Sequence, residues 1–127
     1  MSEGTAKLLE KSTRSLSAGE SLLAGDHVEA AASRAYYAMF YVAEALRDER
    51  GLRFRKHGGV HGAFGEQFVK TGLLDPKYHR WLLAAYNKRI TADYGVDAQL
   101  SAREAGEMLA QAREFLQAAR QFLAAAP

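Results

Sequence analysis

Apolar positions recur at three- and four-residue steps along most of this chain, and no long run alternates with period two, so the pattern predicts helices and no strands. The last segment is the cleanest: Ala105, Met108, Leu109, Ala112, Phe115, Leu116, Ala119, Phe122 and Leu123 make one stripe, with Arg103, Glu107, Arg113 and Gln117 elsewhere. The first segment has a thinner stripe of Leu9, Ser12, Leu16, Gly19 and Leu23, whose small residues permit close approach to a neighbour. In the second, Val28, Ala31, Ala32, Ala35, Met39, Val42 and Leu46 share a face that Tyr36, Tyr37, Phe40 and Tyr41 widen. A helix that is apolar over so much of its surface is either central in a bundle or has a second side buried in a subunit interface built on Tyr37 and Tyr41.

Start and stop signals divide the chain into five helices. The first runs from about Glu3 to Ala24 and is expected to end at a left-handed Gly25. Asp26 and Glu29 have the spacing of a capping box, and the second helix runs on to about Arg50 and stops at Gly51. A short third helix spans about Gly59 to Lys70, before Gly72. Asp75-Pro76 reads as an N-cap with proline at the first helical position, opening a fourth helix that ends near Asp93 or Tyr94. Ser101 and Glu104 make a second capping box, and the fifth helix reaches about Ala124. Short connections favour antiparallel neighbours, so the expected fold is an all-α, up-and-down bundle of four long helices plus one short helix, forming a single domain over residues 1–127.

Composition narrows the chemistry. There is no cysteine, which excludes disulfides, zinc–thiolate sites and thiol nucleophiles. Glu3, Lys7, Glu10, Lys11 and Arg14 interrupt any signal-like apolar run, and no stretch approaches the roughly 20 apolar residues of a membrane span. The expected location is cytoplasmic, with no membrane partner. The formal net charge is only +2, but Arg50, Arg53, Arg55 and Lys56, with His57 and His61, form a stretch free of acids. That stretch is either a solvated connection or a contact for an anionic partner.

In the fourth helix Tyr78, Trp81, Leu82, Ala85, Arg89 and Ala92 share a stripe, which puts a charge on an apolar face. Asp93 lies one turn beyond Arg89, with the acid nearer the C-terminus, the less favourable order for the helix dipole. Arg89 is therefore read either as half of a surface pair or as a phosphate or partner contact. Arg34, Tyr37 and Tyr41 share an edge of the second helix as a polar strip, unless Arg34 pairs with a nearby acid. His57 and His61 are four apart, a metal-ligand spacing, but Gly58, Gly59 and Gly62 make a poor rigid helix there and no metal site is assigned. No phosphate-binding loop, His-Glu-x-x-His motif or nucleophile elbow occurs.

Several segments together resemble the short, stand-alone HEPN proteins. They are Ser33-Arg34-Ala35-Tyr36-Tyr37-Ala38-Met39-Phe40, then Lys56-His57-Gly58-Gly59-Val60, then Phe68-Val69-Lys70-Thr71-Gly72-Leu73-Leu74, then Arg89 with Ala92-Asp93-Tyr94. The resemblance implies a helical bundle paired into a homodimer and encoded beside a small nucleotidyltransferase, in modules that include toxin–antitoxin systems. Active members of the family are metal-independent ribonucleases in which an arginine is followed four to six residues later by a histidine. There the arginine holds the phosphate while the histidine assists attack by the ribose 2′-hydroxyl. In this chain Arg89 matches the arginine, but after four intervening residues Tyr94 stands at the histidine position. A tyrosine with a pKa near 10 is a poor base at neutral pH. In some such modules the nucleotidyltransferase adenylylates a tyrosine beside the motif, and Tyr94 is the acceptor by position.

The expectation is thus a homodimer that binds RNA or a nucleotide through Arg34, Arg53, Arg55, Lys56, His57, Arg89 and Asp93, works with a nucleotidyltransferase, and needs no cofactor. The alternatives are a ribonuclease toxin using Arg89 and Tyr94, or a non-catalytic module assembled through the tyrosines.

Overall fold

The computed structural model describes residues 1–51, 57–94 and 100–125, with the backbone alone at His57, Gly58, Ala92 and Tyr94. It contains α1 (Glu3–Ala24), α2 (Val28–Glu49), α3 (His57–Phe64) running into a single π-helical turn (Gly65–Val69), α4 (Pro76–Tyr94) and α5 (Ala102–Ala125). Among the described residues there is no strand.

The second helix is the centre. It contacts α1, α3, α4 and α5, and Ala31, Ala32, Ala35, Ala38, Ala43 and Ala45 on it are fully buried. Alanine adds little girth, so neighbouring backbones approach closely on more than one side. The α1 side uses this directly. Ser12 Oγ donates to the Ala38 carbonyl and Ser15 Oγ to the Arg34 carbonyl, both at 2.8 Å. Gly19 lies where a Cβ would come 2.6 Å from Leu109 Cδ2 and 3.2 Å from Arg34 Cβ. The small residues of the first helix therefore form its seam with α2. Because Ser12 meets Ala38 while Ser15 meets Arg34, the two helices run antiparallel.

At the far end, the amino group of Met1 pairs with Glu49 at 3.3 Å, and Ser2 N–H donates to the same carboxylate. Ser2 Oγ caps α1 by accepting from Thr5 N–H, and Asp48 accepts from Thr5 Oγ1 at 3.1 Å. Acids at a helix N-terminus complement its dipole. The predicted stripe of α5 is buried from Ala105 to Leu123 apart from the half-buried Phe122. Arg113 pairs with Glu20 and Arg120 donates to Thr13 Oγ1, so α5 runs antiparallel to α1. The Phe115 ring joins three elements, stacking on Tyr78 at 5.2 Å and lying 5.1 Å from Phe64.

Three boundaries differ from expectation. Gly25 has φ −90°, and Asp26 instead takes the left-handed conformation at φ +64°. His27 N–H reaches back to the Leu22 carbonyl and Asp26 N–H to the Leu23 carbonyl, a Schellman closure shifted one residue along. Asp26 is thereby used up ending α1 and forms no capping box with Glu29; His27 is the N-cap of α2 and makes no side-chain capping bond. The third helix forms despite its glycines because Val60, Ala63 and Phe64 are buried, and tertiary packing outweighs weak propensity. The expected Ser101–Glu104 box is present, with Glu104 N–H donating to Ser101 Oγ at 3.0 Å and Ser101 N–H to the Glu104 carboxylate at 3.2 Å.

Two substitutions test this account by thermal unfolding. Asp26→Gly removes a left-handed strain and is expected to raise stability by about 1 kcal/mol. Phe115→Ala empties the junction of three elements and is expected to lower it by about 3–5 kcal/mol.

Candidate phosphate-binding site

Arg89 projects from α4 against the aromatic edge of α2. Its guanidinium carbon lies 5.5 Å from the Tyr36 ring centre, 5.3 Å from Tyr37 and 5.9 Å from Tyr86. Three ring faces around one cation form a cage that compensates part of the lost hydration. Nη1 donates to Asp93 Oδ2 at 3.1 Å, while the buried Nε has no hydrogen-bond partner among the described residues. The side chain keeps 15% of its surface exposed, so it is not wholly sealed from solvent. Of the two sequence readings of Arg89, the pair with Asp93 is present, and it is embedded in tyrosines.

The cage has a buried floor. Tyr36 is fully buried, and its hydroxyl shares a 2.9 Å hydrogen bond with His61 Nε2. His61, only 6% exposed, stands edge-on to Tyr86 at 5.1 Å and to Phe40 at 6.2 Å. Burial pushes the Tyr36 hydroxyl far above the usual phenol range, and the nearby positive charge of Arg89 offsets this only in part. Tyr36 thus stands as a neutral wall and hydrogen-bonding group at neutral pH.

The edge of α2 continues the site. The guanidinium carbon of Arg34 lies 5.1 Å from the Tyr37 ring centre, so Tyr37 carries both Arg34 and Arg89. Tyr37 and Tyr41 are 6.0 Å apart and half-buried. Arg34 has no carboxylate partner among the described residues, which leaves it on the polar strip expected from its spacing. Arg34, Tyr37, Tyr41, Arg89 and Asp93 therefore lie along one α2–α4 face. Arg53, Arg55 and Lys56 lie outside the described residues, as do the side chains of His57 and Tyr94.

Sequence reasoning missed the roles of Tyr36, Tyr86 and His61. Tyr86 was legible as the residue one helical turn before Arg89 on the same side. Tyr36 was assigned to the broad apolar face and the family-like segment of α2, and His61 to the acid-free basic stretch and a metal-like spacing beside glycines. His79 is half-buried against Phe64 and Gly65.

A family model described as the HEPN domain matches residues 5–122. Two Methanocaldococcus jannaschii proteins, each named "Putative toxin", are 39% identical to this chain. One is aligned over 81% of this chain and 70% of its own length, the other over 71% and 67%. A Thermotoga maritima protein named "UPF0332 protein" is 40% identical over 58% of this chain, and the match spans 56% of that protein. No described helix is long and apolar enough to cross a membrane.

The buried phenol sets a pH dependence. Because its ionisation is pushed up in the folded state, its stabilising contribution is complete below the unfolded tyrosine pKa of about 10 and is lost as pH rises beyond it. Tyr36→Phe is expected to cost about 1–3 kcal/mol at neutral pH by leaving the His61 nitrogen without this bond. It should also flatten the decline measured by urea unfolding above pH ~10.

Proposed function

The chain belongs to the HEPN family, and from that membership we propose that it is a homodimer that binds RNA or a nucleotide beside a nucleotidyltransferase partner, in a toxin–antitoxin-like module. The observation that carries the reading is the caged Arg89. A guanidinium stacked between rings keeps its orientation, and its planar fork matches a phosphate with two parallel donors. Asp93 occupies that fork in the free protein and competes with an incoming anion. The names of the M. jannaschii relatives support the toxin-like module.

Tyr37 and Tyr41 give the dimer its seam: half-buried tyrosines combine large apolar area with few rotamers to freeze, which suits an interface core. Arg53, Arg55 and Lys56, in the segment before α3, and His57, its first residue, add phosphate contacts. Binding is favoured over cleavage because Tyr94 replaces the motif histidine, while His61 turns inward to Tyr36 instead of toward solvent. Tyr94 serves as the acceptor if the nucleotidyltransferase adenylylates this chain.

The test joins light scattering with RNA and nucleotide binding. The wild type should be dimeric, Arg89→Ala should bind at least about tenfold more weakly through loss of a charge-assisted pair, and Asp93→Asn should bind more tightly. A mixed RNA pool incubated in EDTA should remain uncut; cleavage abolished by Arg89→Ala would put the metal-independent ribonuclease first. A monomer whose RNA and nucleotide binding ignores Arg89 would refute the proposal.

A further inference from the structure

Between α1 and α2 runs a groove of about 240 Å³ lined by Lys11, Arg14, Ser15, Ala18, Arg34 and Tyr41. Three of its six lining residues are cationic. None of the three has an ion-pair partner among the described residues. The groove is joined to the Arg89 cage by rings: Lys11 Nζ lies 4.6 Å from the Tyr41 ring centre, Tyr41 lies 6.0 Å from Tyr37, and Tyr37 carries Arg89. Its floor is tied together, since Ser15 Oγ from one wall donates to the Arg34 carbonyl of the other.

The acids near this track compensate its cations only in part. Glu44, the carboxylate that feels the charge of Lys11, is held above its usual range by burial and pairs with Arg47 at 3.8 Å. Asp93 is taken by Arg89. Gathering three like charges around one concavity costs repulsion that an anion relieves. The cations are strung along a track with tyrosine rings between them and do not converge on one point. That arrangement matches the backbone of a single strand, whose phosphates follow one another along a positively charged groove.

We propose that the α1–α2 groove is a second phosphate-binding segment for single-stranded RNA, in which Lys11, Arg14 and Arg34 hold the backbone of a strand that reaches Arg89 past the edge of the tyrosine seam. The inference rests on the RNA reading given above. It adds α1 to the binding surface and makes the ligand a strand longer than one nucleotide. In a dimer joined at the tyrosine strip, the two copies' grooves flank the seam.

The experiment is fluorescence anisotropy with a short labelled single-stranded RNA across a salt series, on the full chain. It compares the wild type, the Lys11→Gln/Arg14→Gln double variant, Arg34→Gln and Arg89→Ala, with ATP as a competing mononucleotide and light scattering of each protein. Lys11 and Arg14 are exposed, so their replacement tests binding without threatening the core. The double variant is expected to bind RNA about tenfold more weakly and to lose about 1.4 from the slope of log affinity against log salt, as for two lost single-strand phosphate contacts. It should remain dimeric and retain ATP binding.

Unchanged RNA affinity and slope in the double variant, with Arg89→Ala impaired, would overturn the groove and leave the Arg89 reading standing. The reverse pattern would uphold the groove and overturn the role of Arg89. Absence of RNA binding by the wild type would overturn both. Loss of the dimer on neutralising Lys11 and Arg14, or loss of ATP binding with RNA binding unchanged, would overturn the groove as an RNA segment.

Discussion

Everything in this bundle depends on how closely other helices approach α2. Its buried alanines leave room for backbones instead of side chains, and α1 answers with serine and glycine. The hydroxyls of Ser12 and Ser15 reach α2 carbonyls at 2.8 Å, a distance that a helix lined with leucine would not allow. Those carbonyls accept a second hydrogen bond and need sacrifice none, so the seam orders the helices without leaving a buried polar group unsatisfied. With α1 against the alanine face and α5 against both helices, the aromatic edge of α2 is left to face α3 and α4. The position of the candidate site follows from that division.

On that edge, the central constraint is one cation at an apolar boundary. Arg89 is too buried to be hydrated like a surface arginine and too near the rim to be neutralised fully by one carboxylate. The rings of Tyr36, Tyr37 and Tyr86 supply a polarisable wall, and His61 holds the Tyr36 hydroxyl beneath it. This arrangement fixes a charge in place while leaving it partly exposed, which is what recognition of an anion needs. Within it, the Tyr36 hydroxyl and His61 are buried and turned toward each other. The Lys11–Arg14–Arg34 groove extends the same physics along α1, with cations and rings alternating where the antiparallel seam opens to solvent.

The one-residue shift at the first turn shows how local signals trade places. Gly25 and Asp26 are both suited to helix ends, glycine by its freedom and aspartate by its tolerance of the left-handed region. Which of them takes that conformation depends on where the last turn of α1 closes, and the Leu22 and Leu23 carbonyls decide it. The third helix makes a similar point: Gly58, Gly59 and Gly62 argue against it locally, yet the burial of Val60, Ala63 and Phe64 holds it.

The chain's linear pattern determined the helix count, most helix ends and the two-sided burial of α2, because periodicity and capping are properties of neighbours three and four residues apart. It also singled out Arg89, as a charge on an apolar stripe, and placed Asp93 within its reach. It did not show that Tyr36 and Tyr86 close around that charge from two helices, or that His61, 25 residues beyond Tyr36 in the chain, meets its hydroxyl. Nor did it show that Lys11 and Arg14 on one helix face Arg34 on another across a groove. Those relations depend on crossing positions set by the alanine–serine seam, and no spacing within a single helix encodes them.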